Sequence, residues 1–125
     1  MSLSNLNHVT IRSADLEATR DFYRDALGLV EGPRPPLGFP GYWLYCGEFA
    51  VIHLVPPDNN GGGGGMSTDT GNFDHVAFTA SDYDGMCRRL AGLGIKFREQ
   101  KVAATSIRQL FFQDPNNVSI ELNFA

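Results

Sequence analysis

The chain has 125 residues, of which 42% are hydrophobic and 19% are charged, and its formal net charge is −4. A chain of this size and composition folds as one globular domain, which excludes a disordered, collagen-like or coiled-coil protein. Ten Lys and Arg residues against fourteen Asp and Glu residues leave no basic surface for nucleic acid or an anionic membrane.

The chain contains two copies of one pattern. Residues 6–16, LNHVTIRSADL, resemble residues 73–83, FDHVAFTASDY, and this alignment pairs His8 with His75. Towards the end of each copy, AVIHL at 50–54 aligns with VSIEL at 118–122, and His53 then pairs with Glu121. Several matches in the same order predict an internal duplication. We therefore predict two modules, 5–56 and 72–125, joined by a linker at 57–71.

The first module begins with a strand and a helix. Residues 6–12 alternate in polarity as a half-buried strand does. Asp15 is a suitable N-cap, and apolar residues recur at helical spacing from Leu16 to Leu27. Gly28 follows the last of them and predicts the end of the helix.

The linker contains five consecutive glycines, Gly61–Gly65. Glycine offers no side chain to pack and loses much backbone entropy when it is ordered, so the segment predicts a loop or a lid. A phosphate-binding loop is not expected, because no Gly-Lys-Ser/Thr follows.

The second module repeats the order β-α-β-β-β, with Asp82 as the helix cap. Its apolar helical face is predicted to comprise Tyr83, Met86, Cys87, Leu90 and Ala91. Further strands are expected near 41–47 and 49–55 in the first module, and near 95–99, 106–112 and 117–124 in the second. The segment Asp114–Asn117, with proline at its second position, predicts a turn between the last two strands.

One face of each of four strands is strongly apolar, and the opposite face carries one potential metal ligand. These ligands are His8, His53, His75 and Glu121, and they include every histidine of the chain. Neutral imidazoles and a carboxylate bind divalent Zn, Ni, Mn, Fe or Co. A pseudo-twofold axis between the modules would bring the four groups to one point, so we predict a divalent metal site there. His53 could instead shuttle protons beside a three-ligand metal.

Cys46 and Cys87 form no C-x-x-C motif, so we expect two reduced and mostly buried thiols. No apolar run approaches the ~20 residues that cross a bilayer, and no signal peptide is recognised. These features predict a cytoplasmic protein that is not bound to a membrane.

The motifs resemble those of the vicinal oxygen chelate superfamily, which includes glyoxalase I, bleomycin-resistance proteins and extradiol dioxygenases. The resemblance rests on Leu6–Val9, Asp15–Leu16, Phe22–Asp25, Leu27–Gly28, Asp74–Phe78, Phe112–Asn117 and Ile120–Leu122. It implies an α+β fold in which two tandem βαβββ modules form a half-open barrel around a metal. By position, His8, His75 and Glu121 match the family's metal ligands, and His53 falls at the fourth ligand of glyoxalase I. A homodimer whose partner chain completes the site is also implied.

The resemblance further implies that the metal chelates two vicinal oxygens of a small-molecule substrate and stabilises an enediolate-like anion, while Glu121 or His53 moves a proton. The expected activity is that of a glyoxalase-like lyase or isomerase. One alternative is an extradiol ring-cleaving dioxygenase, although Phe111 stands where that group has a catalytic tyrosine. A second alternative is a metal-free protein that sequesters its ligand, as bleomycin-resistance proteins do, although these generally lack the ligand set. A fosfomycin-type transferase is less favoured, because the basic phosphonate pocket and the potassium-binding loop residues of that group are not found.

Four further residues are candidates for substrate contacts. The segment 32–44 is stiff and apolar, and it contributes Arg34, which could bind a carboxylate, and Trp43. A rigid loop at a dimer edge would explain this segment equally well. Arg12 shares the predicted strand face of His8, and Phe111 is a candidate for stacking against a substrate.

Overall fold

The computed structural model describes residues 2–58 and 66–125, so Gly61–Gly65 lie outside the described residues. Its contacts divide the chain into two compact units, Met1–Met66 and Ser67–Ala125. The first unit contains β1 (Val9–Arg12), α1 (Leu16–Leu27), β2 (Val30–Gly32), β3 (Tyr42–Cys46) and β4 (Phe49–Val55). The second contains β5 (Val76–Ala80), α2 (Tyr83–Gly92), β6 (Arg98–Lys101), β7 (Arg108–Gln113) and β8 (Ser119–Phe124).

Each unit forms one four-stranded sheet with the same topology. The strand order is β1-β4-β3-β2 in the first sheet and β5-β8-β7-β6 in the second. In each sheet the first and last strands of the module pair in parallel, and the other neighbours are antiparallel. The predicted α+β fold with two tandem βαβββ modules is thereby confirmed.

Helix α1 begins and ends where the sequence predicts. The carboxylate of Asp15 accepts a hydrogen bond from the backbone N–H of Ala18 at 3.0 Å, which satisfies a donor that the first helical turn leaves free. Thr19, Tyr23 and Ala26 are buried along one face. The chain leaves the helix at Gly28, whose φ of 73° is readily accessible to glycine.

The two cysteines are less buried than expected. Cys46 is exposed and Cys87 is half-buried, so the prediction of two mostly buried thiols is wrong for Cys46. Cys46 ends β3 at the tip of the hairpin to β4, where it pairs with Phe49, itself an exposed residue. In α2, Leu90 is buried, whereas Ala91 is exposed and does not belong to the packed face.

Burial alternates along the strands that carry the candidate ligands. In β8 the residues Ile120, Leu122 and Phe124 are buried, and the residues between them are half-buried. Strand β4 follows the same alternation as far as its last residue, Val55, which is also buried. The apolar faces form the cores of the two units, which leaves the opposite faces for polar side chains.

Some strand bounds differ from the prediction. Strand β2 was not anticipated, and β6 begins at Arg98 rather than at residue 95. Neither strand has apolar alternation, because both consist mainly of exposed residues, so the pattern could not mark them. Strand β1 begins at Val9, so His8 lies just before it, as His75 lies just before β5. Among the described residues, no helix is long and apolar enough to cross a membrane.

Candidate metal centre

Three rings stack on one face of the first sheet. Trp43 and His53 are directly opposite each other on the antiparallel strands β3 and β4. Their ring centroids are 4.0 Å apart and their planes differ by 11°. On the other side of the His53 ring, His8 stacks at 3.6 Å with an interplanar angle of 12°. The sheet therefore fixes the plane of the His53 imidazole between two flat groups.

The surroundings of His53 favour its neutral form. Burial lowers its pKa below the ordinary value of 6.5, and the positive potentials of His8 and Arg34 lower it further. A hydrogen bond with the backbone of Ala50 opposes part of this shift. A neutral imidazole retains a lone pair, which is the form required of a metal ligand or a general base.

His8 and His75 each follow a residue that binds their Nδ1 atom. Asn7 Oδ1 lies 2.7 Å from Nδ1 of His8, and Asp74 Oδ2 lies 2.8 Å from Nδ1 of His75. Because these oxygens accept a hydrogen bond, Nδ1 carries the hydrogen, and the Nε2 atom keeps its lone pair in the neutral ring. Metal-ligating histidines in proteins are oriented in the same way.

The second unit joins His75 to Glu121 through a chain of polar side chains. His75 Nε2 lies 3.3 Å from Oε1 of Glu121. The other oxygen, Oε2, accepts a hydrogen bond of 2.8 Å from the side-chain amide of Asn123. Asn123 in turn accepts one of 2.9 Å from Gln109 on the neighbouring strand β7. The Glu121 side chain is 13% exposed, so its carboxylate is fixed in position with Oε1 directed towards His75.

The pKa of His75 is raised above 6.5, mainly by the hydrogen bond to Asp74. Desolvation opposes this shift, and the negative charges of Glu121 and Asp74 add to it. The charge at this ring is therefore set by the two carboxylates that flank it.

Each unit brings two of the four candidate ligands into contact. His8 and His53 are in contact in the first unit, and His75 and Glu121 are in contact in the second. Within residues 2–58 and 66–125, no three or more His, Cys, Asp or Glu side chains are gathered that could hold a metal ion. The donor set has the chemistry of a divalent metal site, with imidazole and carboxylate ligands supported by oxygen acceptors. Convergence of all four groups stays a prediction.

A cleft of about 320 Å³ opens beside His75. Its lining includes Asp74, Arg98, Phe111, Gln113 and Ser119. The Arg98 guanidinium lies over the Phe111 ring at 4.3 Å from the centroid, and the two residues are opposite each other in the β6–β7 register. Sequence reasoning included Phe111 but missed Arg98, because the exposed strand β6 gives no pattern that would place Arg98 opposite a candidate residue.

The two other candidate substrate residues contact the backbone. Arg12 donates from Nη1 to the carbonyl oxygen of Pro56 at 3.2 Å and also to that of Asp58. Arg34 donates from Nη2 to the carbonyl oxygen of Phe39 at 2.9 Å. The hydrogen bonds of Arg12 therefore stabilise the segment that follows β4. The hydrogen bond of Arg34 stabilises the loop between β2 and β3, in which Arg34 itself lies.

Residues 5–122 match the family model described as the Glyoxalase/Bleomycin resistance protein/Dioxygenase superfamily. The chain belongs to this superfamily. The match extends over nearly the whole chain and includes all four candidate ligands.

Two curated relatives and one solved structure illustrate what the chain is similar to. It is 28% identical over 125 residues to Glyoxylase I 4 of Arabidopsis thaliana, covering 98% of this chain and 71% of that protein. It is 26% identical over 130 residues to the glutathione transferase FosA of Serratia marcescens, covering 97% and 81%. The antibiotic-binding protein TnmS3 from Streptomyces sp. CB03234 superposes with a TM-score of 0.72 at 21% identity, covering 99% and 98%. The two curated relatives are thus named as a glyoxylase and a transferase, and this structural neighbour, which shares the fold, is described by binding alone.

Proposed function

We propose that the chain is a metal-dependent enzyme, a glyoxalase-like lyase or isomerase acting on a small molecule with two vicinal oxygens. The observation that carries the proposal is the pair of matched histidines. His8 and His75 occupy equivalent positions in the two modules, and each has its Nδ1 atom on the side-chain oxygen of the preceding residue. A hydrogen bond at Nδ1 orients a metal-ligating histidine so that Nε2 can bind the metal. The same hydrogen bond at both equivalent positions supports a shared role as metal ligands more than two unrelated structural roles.

In this proposal His8, His75 and Glu121 hold the metal, and His53 provides a fourth donor or a base. A divalent Zn, Ni, Mn, Fe or Co ion bound there would stabilise negative charge on two neighbouring substrate oxygens. The relatives named for glyoxalase I and FosA support an enzyme of this superfamily. The substrate is proposed to enter the cleft beside His75, and a homodimer is the expected assembly.

Glu121 is the proposed base. Its Oε2 atom is engaged by the amide of Asn123 at 2.8 Å, so Oε1 is the oxygen that can accept a proton and return it. The neutral form favoured at His53 makes this ring the second candidate for the same step. Trp43 keeps the plane of the His53 ring fixed in either role.

The test is the metal content of untreated protein, compared with the variants His8→Ala and Glu121→Gln. We expect near-stoichiometric metal in the wild type and a fall in metal affinity of more than about 10–100-fold in either variant, since that is the cost of losing only an outer partner of a ligand. Glu48→Gln is a matched control, because Glu48 is an exposed carboxylate in the β3–β4 hairpin. Emission of Trp43, the chain's one tryptophan, gives a second readout, since its ring stacks on His53.

Two outcomes would favour the alternatives. Wild-type protein that binds no metal, even from metal-replete medium, would contradict the proposal and favour a ligand-sequestering protein, which is how TnmS3 is described. Oxygen uptake with catechols by metal-loaded protein would instead favour the extradiol dioxygenase. Phe111, which has no hydroxyl group to donate a proton, argues against that activity.

A further inference from the structure

Arg34 carries a buried hydrogen-bond donor that has no acceptor. The residue is half-buried in the loop between β2 and β3. Within the part of the chain that the structure describes, its Nε atom is the buried side-chain polar atom that lacks a hydrogen-bond partner. Buried donors in folded proteins are nearly always satisfied, so this N–H requires an explanation, such as a ligand that binds there.

Among the described residues, the guanidinium of Arg34 also forms no ion pair. The ion pairs found among the described residues of the first unit use Arg20 and Arg24, and none of them uses Arg34. Its guanidinium lies over the Phe39 ring at 5.1 Å from the centroid, and one Nη atom donates to the Phe39 carbonyl. A partly desolvated cation without a carboxylate is a binding position for an anion.

The loop holds this guanidinium in a fixed place. Prolines 33, 35 and 36 restrict the backbone on both sides of Arg34. A Cβ atom added to Gly41 would lie 3.1 Å from Nη2 of Arg34 and would also collide with the carbonyl oxygen of Leu54. The absence of a side chain at Gly41 therefore lets the guanidinium approach the end of β4. A donor fixed in advance loses little entropy when it binds a ligand.

The position of Arg34 relates it to the candidate ligands of its own unit. Its loop leads into β3, which carries Trp43, and its Nη2 atom lies beside Gly41, whose backbone packs on the carbonyl of Leu54, the residue after His53. An anion bound at Arg34 would therefore lie near the stacked rings of Trp43 and His53.

We propose that Arg34 is an oxyanion-binding residue and that it recognises a carboxylate on a small molecule bound near the stacked rings of Trp43 and His53. The proposed function is needed only to identify the carboxylate as part of the substrate. The guanidinium supplies the positive charge and the unsatisfied Nε donor, and the Phe39 carbonyl fixes its orientation. Lysine would keep the charge but would lack the planar set of donors.

The experiment is an NMR titration of metal-free protein with benzoate, which has one carboxylate and no second oxygen group to chelate a metal. The readout is the side-chain Nε–H resonance of Arg34, assigned in the wild type by through-bond correlation to the backbone amide of Arg34. We expect a saturable downfield shift with benzoate and none with chloride at equal ionic strength. Benzoate affinity should fall about tenfold or more in Arg34→Lys.

Arg24 provides the matched control, because its Nε already donates to Asp25 at 2.8 Å. Its resonance should not shift, and Arg24→Lys should bind benzoate as the wild type does. Equal shifts at Arg24 and Arg34, or no shift at Arg34, would overturn the inference. The wild-type titration decides the matter even if a variant folds poorly. Since no metal is present, failure here is distinct from failure of the proposed function, which the metal content reports.

Discussion

Replacing Asp114 with alanine should lower the free energy of unfolding by about 2–4 kcal/mol. Asp114 is 5% exposed, and its Oδ1 atom accepts hydrogen bonds from the backbone N–H groups of Asn116 at 2.7 Å and Val118 at 2.9 Å. A buried N–H left without an acceptor costs about 1–3 kcal/mol. The backbone N–H of Val118, a residue that is 9% exposed, would bear most of this cost. Asn116 is half-buried, so water could satisfy its N–H in part.

Urea denaturation followed by circular dichroism measures this change. Asp114→Asn keeps an acceptor oxygen and should lose only about 1 kcal/mol, since a neutral hydrogen bond is weaker than a charge-assisted one. Asp25→Ala removes an exposed carboxylate and should stay within about 0.5 kcal/mol of the wild type. If Asp114→Ala is no less stable than Asp25→Ala, the two hydrogen bonds do not stabilise the turn and the reasoning is refuted.

Two further predictions concern the titration of a tyrosine and the space around two glycines. Burial and the hydrogen bond to Glu99 raise the pKa of Tyr83 from 10.0 to about 12, so Tyr83 should ionise late when tyrosinate absorbance is followed against pH. Glu99→Gln should lower this pKa without restoring 10.0, because the burial remains. Since the pKa of Tyr83 is raised in the folded state, its contribution to folding stability is complete below pH 10.0 and is lost as the pH rises through about 12. A Tyr83 pKa that is unchanged in Glu99→Gln would show that the hydrogen bond to Glu99 does not raise it. Gly41→Ala should cost about 1–3 kcal/mol, because the new Cβ would collide with the Leu54 carbonyl. Gly92→Ala, in helix α2 with open space around it, should stabilise by about 0.5 kcal/mol. Thermal melts that shift in the same direction for both glycine variants would show the steric argument to be wrong.

The sequence predicts those parts of the fold that local chemistry determines. Asp15 and Asp82 both cap their helices, because a carboxylate before an apolar helical pattern has free N–H groups to accept from. A turn also forms at Asp114–Asn117 as predicted, and within it Asn117 adopts a left-handed backbone with φ of 65°. The repeat also places His8 and His75 at equivalent positions, which the matched Nδ1 contacts reproduce.

Contacts between strands without an apolar pattern could not be predicted. Arg98 lies over Phe111 because β6 pairs with β7 in one particular register, and the fully exposed strand β6 gives no alternation from which to read that register. The stacking of Trp43 on His53 likewise depends on the β3–β4 register, which includes a shift after Leu44. The sequence identified most residues of the candidate site, but their contacts depend on strand pairing.

The parallel pairing of first and last strands has a consequence for the history of the chain. Among the described residues, every strand pair lies inside one module, and β1 with β4, like β5 with β8, joins the two ends of its own module. A gene encoding a single module would therefore already specify a complete sheet. Duplication and fusion of such a gene would break no hydrogen-bond ladder, and His53 and Glu121 would then mark an equivalent position at which the two copies differ.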